Sequence, residues 1–123
     1  MNKIKIEIEK RKVLNKLNHN SLSGNKEGSF NIYASETEDH IKKKFRCWLL
    51  LRKNGHYVWT EAIFKNTLAR PDLLTFKNGI WKIIEVLQTE TEKELIEKIK
   101  KYPEGIEIIK IKDYSDIVLS NFE

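Results

Sequence analysis

The sequence predicts a single α/β domain in which helices flank a mixed central sheet. Three observations lead to this prediction. A tight-turn signal lies between two apolar runs, a long helical pattern precedes it, and a capped helix followed by an apolar strand comes after it. With 123 residues, the chain can build one hydrophobic core but not two.

The composition is that of an ordinary globular chain with a charged surface, since 40% of the residues are hydrophobic and 33% are charged. No run approaches the roughly 18 apolar residues of a membrane span, and no segment has the pattern of a signal peptide. The one cysteine, Cys47, excludes an internal disulfide framework and a cysteine-based zinc site. Its apolar neighbours predict a buried, inert thiol. We therefore expect an intracellular, cytoplasmic protein.

The net charge of +5 is concentrated near the N-terminus, because residues 1–26 hold seven Lys or Arg against two Glu. We divide the chain into a basic N-terminal arm with a flexible loop (residues 1–30) and an α/β core (residues 31–123). A basic arm suits attraction to a phosphate backbone, although a solubilising tail would show the same excess. The candidate nucleic-acid contacts are Lys10, Arg11, Lys12 and Lys16 in the arm and Lys43 in the core.

The arm begins with residues 3–9, which alternate strictly between polar and apolar side chains and so predict a half-buried strand. Such a strand would lie at an edge of the main sheet or pair between two subunits. A short helix over residues 10–18 and a flexible loop over residues 19–29, rich in Asn, Ser and Gly, are expected next. We expect His19 at the surface beside this loop.

The core opens with a helix, because Ser35 and Glu38 have the spacing of a capping box. The helix should run to about Lys53, where an Asn-Gly pair ends it. Its apolar stripe is too wide for a surface helix, so we expect most of it to be covered. Residues 57–64 are rich in aromatic and β-branched side chains and predict a strand, with Glu61 in its middle.

Asn78-Gly79 is the strongest hairpin signal, because both residues tolerate the positive φ of a type I′ turn. A two-residue turn places Asp72 opposite Glu85 on the paired strands. Two carboxylates in that position have Cβ atoms roughly 4.5–5.5 Å apart and repel each other. A divalent cation with oxygen ligands would relieve the repulsion. The pairing could equally be accidental at a wet strand end, and a three-residue loop would put the acids out of register.

Two overlapping Thr-x-x-Glu capping boxes, beginning at residues 89 and 91, predict a helix that ends near Tyr102. The isoleucines of residues 106–111 predict a strand, and residues 114–122 a short closing helix. A strand-helix-strand unit normally crosses over right-handed and leaves its two strands parallel, which makes the sheet mixed.

Pro71-Asp72, a gap of 12 residues and then Glu85-Val86-Leu87 resemble the PD-(D/E)xK nuclease superfamily. The resemblance covers roughly residues 35–112 and implies a restriction-endonuclease-like fold. It also implies that Asp72 and Glu85 bind Mg²⁺ or Mn²⁺, that the substrate is DNA, and that two copies form a homodimer. The pattern of residues 85–91 is similar to that of competence-protein and archaeal or viral resolvase-like members of that superfamily.

The resemblance directs attention to an acid on the helix before the first strand, and Glu38 is the candidate by position. Its capping function alone would also explain it. Glu61 is a further candidate metal ligand, because a carboxylate among apolar residues is costly unless it is paired, metal-bound or turned to solvent. His40 lies four residues after Glu36, a spacing that favours a surface pair over a metal site. His56 follows a glycine, and we expect it in solvent.

Leu87 departs from the family pattern, which usually has lysine at this position. Another cation could substitute, either Arg70, which faces Leu87 in the two-residue-turn register, or Lys43 or Lys44 from the preceding helix. Gln88 could instead orient the attacking water. The remaining explanation is that the protein is a catalytically inactive relative that binds nucleic acid or a protein partner.

Overall fold

The computed structural model describes residues 2–17 and 26–123. In this part of the chain, three α-helices accompany a four-stranded mixed sheet, so the predicted α/β class is confirmed. The elements in chain order are α1 (Lys3–Leu14), α2 (Glu38–Lys53), β1 (Tyr57–Thr60), β2 (Leu73–Lys77), β3 (Ile80–Val86), α3 (Glu92–Ile99) and β4 (Glu107–Ile111). The predictions for His19 and for most of the loop over residues 19–29 lie outside the described residues.

The sheet has the strand order β1-β2-β3-β4, in which the first three strands are antiparallel and β4 is parallel to β3. The predicted hairpin is confirmed, because Asn78 and Gly79 both have positive φ values of 51° and 84°. Its register is also as predicted, with Phe76 opposite Trp81 and Leu74 opposite Ile83. The parallel β3–β4 pair joined by α3 is confirmed as well.

Two apolar layers cover the two faces of the sheet, because side chains alternate along each strand. The layer beside α1 contains Val13, Leu17, Trp59, Leu74, Ile83 and Tyr102. The layer beneath α2 contains Cys47, Leu51, Val58, Leu73, Ile84 and Phe122. Cys47 is fully buried as predicted, and burial raises the pKa of its thiol to about 12.

The predicted N-terminal strand is wrong, since residues 3–14 form α1. The Asn2 side chain caps the helix by accepting a hydrogen bond from the Lys5 N–H at 2.8 Å. Val13 and Leu17, at the other end, are buried in the core, whereas Ile4 is 73% exposed. A helix satisfies its own backbone hydrogen bonds, whereas a strand would need a free sheet edge. Residues 3–9 therefore do not form a strand that could pair with a second subunit.

Several elements differ from the predictions in extent or type, and α3 ends at Ile99 rather than near Tyr102. The cap of α2 is Thr37 rather than Ser35, because the Thr37 side chain accepts from the His40 N–H. β1 ends at Thr60, since Glu61 has a φ of 59° and leaves the extended conformation. The predicted closing helix is instead two 3-10 turns, Tyr114–Asp116 and Leu119–Asn121.

Among the described residues, no helix has the length and apolar character needed to cross a membrane.

Candidate functional site

Asp72 and Glu85 lie at the open end of the β2–β3 hairpin, one position beyond the last ladder pair, Leu73 opposite Ile84. Both acids are buried, with 7% of Asp72 and 1% of Glu85 exposed. Burial raises the pKa of Glu85 to about 7, and the negative charge of Asp72 adds to this effect. The structure therefore brings the two predicted acids close enough for the charge of one to act on the other.

Asp72 is held in its ionised form by its partners. Its Oδ2 accepts a hydrogen bond from the Val86 N–H at 2.7 Å, and its Oδ1 is 3.2 Å from His40 Nε2. Burial acts to raise the pKa of Asp72, but these contacts and the charge of Lys98 outweigh it and lower the pKa. The pKa values of Asp72 and Glu85 are thus pushed in opposite directions, an arrangement that is typical of acid–base sites.

Glu85 is bound by two side chains of the segment that includes and follows α3. Lys98 Nζ donates to Glu85 Oε2 at 2.8 Å, and the Tyr102 hydroxyl donates to Glu85 Oε1. Burial acts to lower the pKa of Lys98, but the charge of Glu85 outweighs it and raises the pKa. Lys98 is therefore a cation directly beside the acid that has a pKa near neutrality.

A second set of contacts surrounds Lys44, whose side chain is completely buried. Its ammonium donates to both carboxylate oxygens of Glu36, at 2.9 and 2.8 Å, and to Glu61 Oε1 at 2.9 Å. Arg70 lies further out, with Nε 4.0 Å from Glu61 Oε2 and its guanidinium 4.6 Å from the Tyr33 ring centre. Lys44 thus balances two buried acids, and Arg70 adds positive charge at the exposed edge.

His40 joins the two sets, because its Nε2 is 3.1 Å from Glu36 Oε2 and 3.2 Å from Asp72 Oδ1. Burial acts to lower the pKa of His40, but the hydrogen bond and charge of Asp72, together with Glu36, raise it above its ordinary value. His40 Nε2 is therefore placed to donate to either carboxylate, while its buried Nδ1 has no hydrogen-bond partner among the described residues. The expected pair with Glu36 exists, but it is buried rather than at the surface.

We call this group the buried charge cluster. Its members are Glu36, His40, Lys44, Glu61, Asp72, Glu85, Lys98 and Tyr102. Four carboxyl groups meet two ammonium groups and a histidine inside a protein, where each would be costly without partners. Chemically, the cluster offers a carboxyl group that exchanges its proton near neutral pH and cations that can stabilise an added negative charge.

The sequence of α2 explains how its cluster residues point inward. The four buried residues of the helix are His40, Lys44, Cys47 and Leu51, spaced by four, three and four positions. This spacing keeps them on one face of a helix. The face is apolar near the C-terminus and charged near the N-terminus. Lys44, a candidate from the sequence, lies on the same stripe as Cys47, which explains why it is buried.

Lys98 and Tyr102 are residues that sequence reasoning did not assign to the site. Together with Leu95 they have the spacing of one helical face, and Leu95 and Tyr102 are buried. The spacing was the available signal. Nothing in the sequence indicated that this face lies over Glu85.

The predicted site residues divide into two groups. Asp72, Glu85, Glu61 and Lys44 lie in the cluster, and Arg70 lies at its edge. Glu38 lies outside it, because its side chain is 82% exposed and pairs with Lys42 at 2.8 Å. The acid contributed from this region is Glu36, two residues earlier, because the helix cap is at Thr37.

Lys43 and Gln88 also lie outside the cluster. Lys43 pairs with Asp39 at 2.9 Å and donates to the Lys112 carbonyl at 2.9 Å. Gln88 is exposed, and its Oε1 accepts a hydrogen bond from the Thr37 hydroxyl at 3.3 Å. Of the candidates for the missing lysine, only Lys44 and Arg70 are therefore placed at or beside the cluster.

The candidate nucleic-acid contacts of the arm lie on or directly after α1, in the region where a short helix over residues 10–18 was predicted. Lys10 lies over the Tyr57 ring at 4.2 Å, and Lys12 pairs with Glu9 at 2.8 Å. Arg11 and Lys16 are exposed. The basic surface therefore belongs to a helix that is packed on the core.

Within the described residues, no three His, Cys, Asp or Glu side chains form a group arranged to hold a metal ion. Comparison of the chain with protein-family models, with curated proteins and with solved structures found no match.

Proposed function

We propose that the protein is a metal-dependent nuclease that hydrolyses phosphodiester bonds in DNA. The observation that carries the proposal is the pair of buried acids, Asp72 and Glu85, at the open end of a hairpin, with pKa values pushed in opposite directions. The element order from α2 to β4 supports it, because the resemblance to PD-(D/E)xK nucleases implies the same helix-strand-hairpin-helix-strand plan. We extend the proposal to a restriction-endonuclease-like fold.

Asp72 and Glu85 provide oxygen ligands of the kind that Mg²⁺ and Mn²⁺ prefer, and an ion would have to displace the contacts that His40, Lys98 and Tyr102 make with them. In proteins Mg²⁺ is usually held by one or two carboxylates, while water and substrate phosphate complete its shell. Asp72 and Glu85 would hold the ion, and Glu61 is the next carboxylate available. When bound, the ion supplies Lewis-acid polarisation of a phosphate oxygen and lowers the pKa of a bound water.

Cations of the chain take the place of the lysine that Leu87 replaces. Lys98 is the best substitute, because it bonds Glu85 directly and its side chain is 34% exposed. Arg70, with 42% of its side chain exposed, is placed to contact a substrate phosphate. Lys44 is completely buried, so its function is to hold Glu36 and Glu61 in position rather than to touch substrate.

The basic surface on and directly after α1 would hold the DNA backbone, with Arg11, Lys12 and Lys16 among its exposed cations. Such contacts release counterions, so binding should weaken steeply as salt increases.

We also propose that the protein is intracellular and that two copies of the chain form a homodimer. The structural support for a dimer is a pair of exposed isoleucines on α1, Ile4 and Ile8, which are 73% and 49% exposed.

The test is a DNA cleavage assay with and without Mg²⁺. Asp72→Asn and Glu85→Gln should each lower the cleavage rate by about 100-fold or more, since each removes a group on which the chemistry depends. Glu38→Gln is the matched control, because it makes the same change at a carboxylate that lies outside the cluster. Full activity in Asp72→Asn would eliminate this mechanism.

A second candidate function is a catalytically inactive nuclease-like module that binds nucleic acid or a protein partner. Two observations favour it, namely Leu87 in place of lysine and the fact that the oxygens of Asp72 and Glu85 already have partners within the protein. This candidate predicts DNA binding that is sensitive to salt, independent of metal and not followed by cleavage.

A further inference from the structure

A cavity lies at the turn end of the β2–β3 hairpin, away from the buried charge cluster. Its volume is about 220 Å³, and its polar lining consists mainly of His56, Thr75, Lys77, Lys82 and Glu123. Pockets for drug-sized ligands have volumes of roughly 300–1,000 Å³. A cavity of this size therefore suits a small ion or a single functional group.

His56 presents an unpaired nitrogen in this cavity. The prediction of a solvent-exposed His56 is wrong, because only 5% of the residue is exposed. The Thr75 hydroxyl donates to the Tyr57 carbonyl at 2.9 Å, so its oxygen accepts from His56 Nδ1 at 3.2 Å. That contact places the ring proton on Nδ1 and leaves Nε2 as an acceptor. Among the described residues, Nε2 has no hydrogen-bond partner.

Two lysines line the cavity, and a carboxylate already lies against each of them. Lys77 Nζ donates to Glu123 Oε1 at 3.0 Å, and this oxygen is 4.0 Å from His56 Nε2. Lys82 Nζ donates to the backbone oxygens of Phe122 and Glu123 at 2.8 and 3.0 Å, and it lies 3.5 Å from Oε2 of Glu107, whose side chain is 63% exposed. A carboxylate satisfies the lysine but has no proton to donate to Nε2, so Glu123 fits the cavity only in part.

We propose that this cavity is a binding site for hydrogen phosphate, which enters in place of the Glu123 side chain. Its anionic oxygens accept hydrogen bonds from Lys77 and lie in the field of Lys82, while its P–OH group donates to His56 Nε2. Burial and the charges of Lys77 and Lys82 lower the pKa of His56, so the imidazole stays neutral and able to accept. This site is independent of the proposed nuclease activity.

The test follows the NMR signals of the His56 ring during titration with inorganic phosphate at pH 7.5, and sulfate provides the matched anion. Sulfate has the same shape and charge but no proton, so it should bind about threefold to tenfold more weakly, the effect of one hydrogen bond. Absence of any phosphate-dependent shift, or equal binding of the two anions, would overturn the proposal.

Variants of the lining residues make the test specific. Glu123→Gln should bind phosphate several-fold more tightly, because a competing negative charge is gone. Lys77→Met should bind it at least tenfold more weakly, whereas Lys65→Met, an exposed lysine between β1 and β2, should bind as wild type does. Unchanged affinity in both Glu123→Gln and Lys77→Met would place the phosphate elsewhere.

A nucleoside 5′-monophosphate distinguishes free phosphate from the end of a nucleic acid. A phosphate ester loses its last proton near pH 6, whereas inorganic phosphate still carries one at neutral pH. At pH 7.5 the nucleotide, like sulfate, should therefore bind about threefold to tenfold more weakly than inorganic phosphate. Tighter binding of the nucleotide at this pH would contradict the requirement for a donated proton.

Discussion

Replacement of Lys44 by methionine tests whether the buried charge cluster stabilises the fold by pairing. The Lys44 side chain is completely buried, and its partners Glu36 and Glu61 have side chains that are only 8% and 6% exposed. Methionine fills a similar length without charge. The variant therefore leaves two carboxylates buried without the ammonium group that balances them.

The cost follows from the burial of these groups. Removing one partner of a buried ion pair typically costs about 3–5 kcal/mol, because the other charge stays buried and unpaired. Domains of this kind are stable by only about 5–15 kcal/mol, so the variant should be close to unfolding at neutral pH. Adding Glu36→Gln and Glu61→Gln to Lys44→Met should restore most of the stability, since no unpaired charge remains.

Urea denaturation at pH 7 and pH 5 measures this effect. Burial raises the pKa of Glu61 even in the presence of Lys44, and without Lys44 the pKa should rise further. A carboxyl group with a raised folded-state pKa makes the folded protein less stable as the pH rises through that value. The deficit of Lys44→Met should therefore be smaller at pH 5 than at pH 7.

Lys42→Met is the control, because Lys42 is on the same helix but pairs with Glu38 at the surface. Its stability should be indistinguishable from that of wild type. If Lys44→Met lost less than about 1 kcal/mol at pH 7, the value typical of exposed pairs, the cluster would be solvated and the reasoning refuted.

Two further predictions concern the hairpin and its acid. Gly79→Ala should lower the free energy of unfolding in urea by about 1–2 kcal/mol, because Gly79 has a φ of 84° and a side chain is strained there. Wild-type stability after this change would contradict the type I′ turn. Glu85 should make wild type less stable as the pH rises from about 4.5 to 7, because its folded-state pKa is raised to about 7. Glu85→Gln should show a smaller loss between pH 5 and pH 8. Glu61 and His40, whose pKa values are also raised, account for the loss that remains. Identical pH profiles of the variant and wild type would refute the assignment.

The hairpin was predictable because its determinant is local. Asn78 and Gly79 fix the turn, the turn fixes the register, and the register fixes which side chains face each other. The positions of Asp72 and Glu85 follow from these steps. The parallel β4 was predictable for a similar reason, since a short helix between two strands leaves few alternatives.

The N-terminal segment was not predictable in the same way. Its alternating isoleucines fit a strand, but Val13 and Leu17 at the end of the segment are anchored in the core. Burial of these two side chains, together with the Asn2 cap, decided in favour of a helix. The residues that favour the helix, Val13 and Leu17, lie beyond residues 3–9, in which the isoleucines alternate.

The partners of the acids could not be predicted because they come from separate elements. Lys98 and Tyr102 follow Glu85 by 13 and 17 positions, and His40 precedes Asp72 by 32. The Ser35-x-x-Glu38 pattern favours Glu38 over Glu36, but the cap of α2 is Thr37, two residues later than this pattern predicts. Only the packing of α2 and α3 on the sheet determines which charged side chains meet.

Calorimetric titration of Mg²⁺ or Mn²⁺ into wild type, Asp72→Asn and Glu38→Gln tests the central claim most directly. The account predicts one metal site in wild type and in Glu38→Gln, and its loss in Asp72→Asn. Wild-type protein that takes up no metal, or a site that survives in Asp72→Asn, would contradict the assignment of a metal to these two acids.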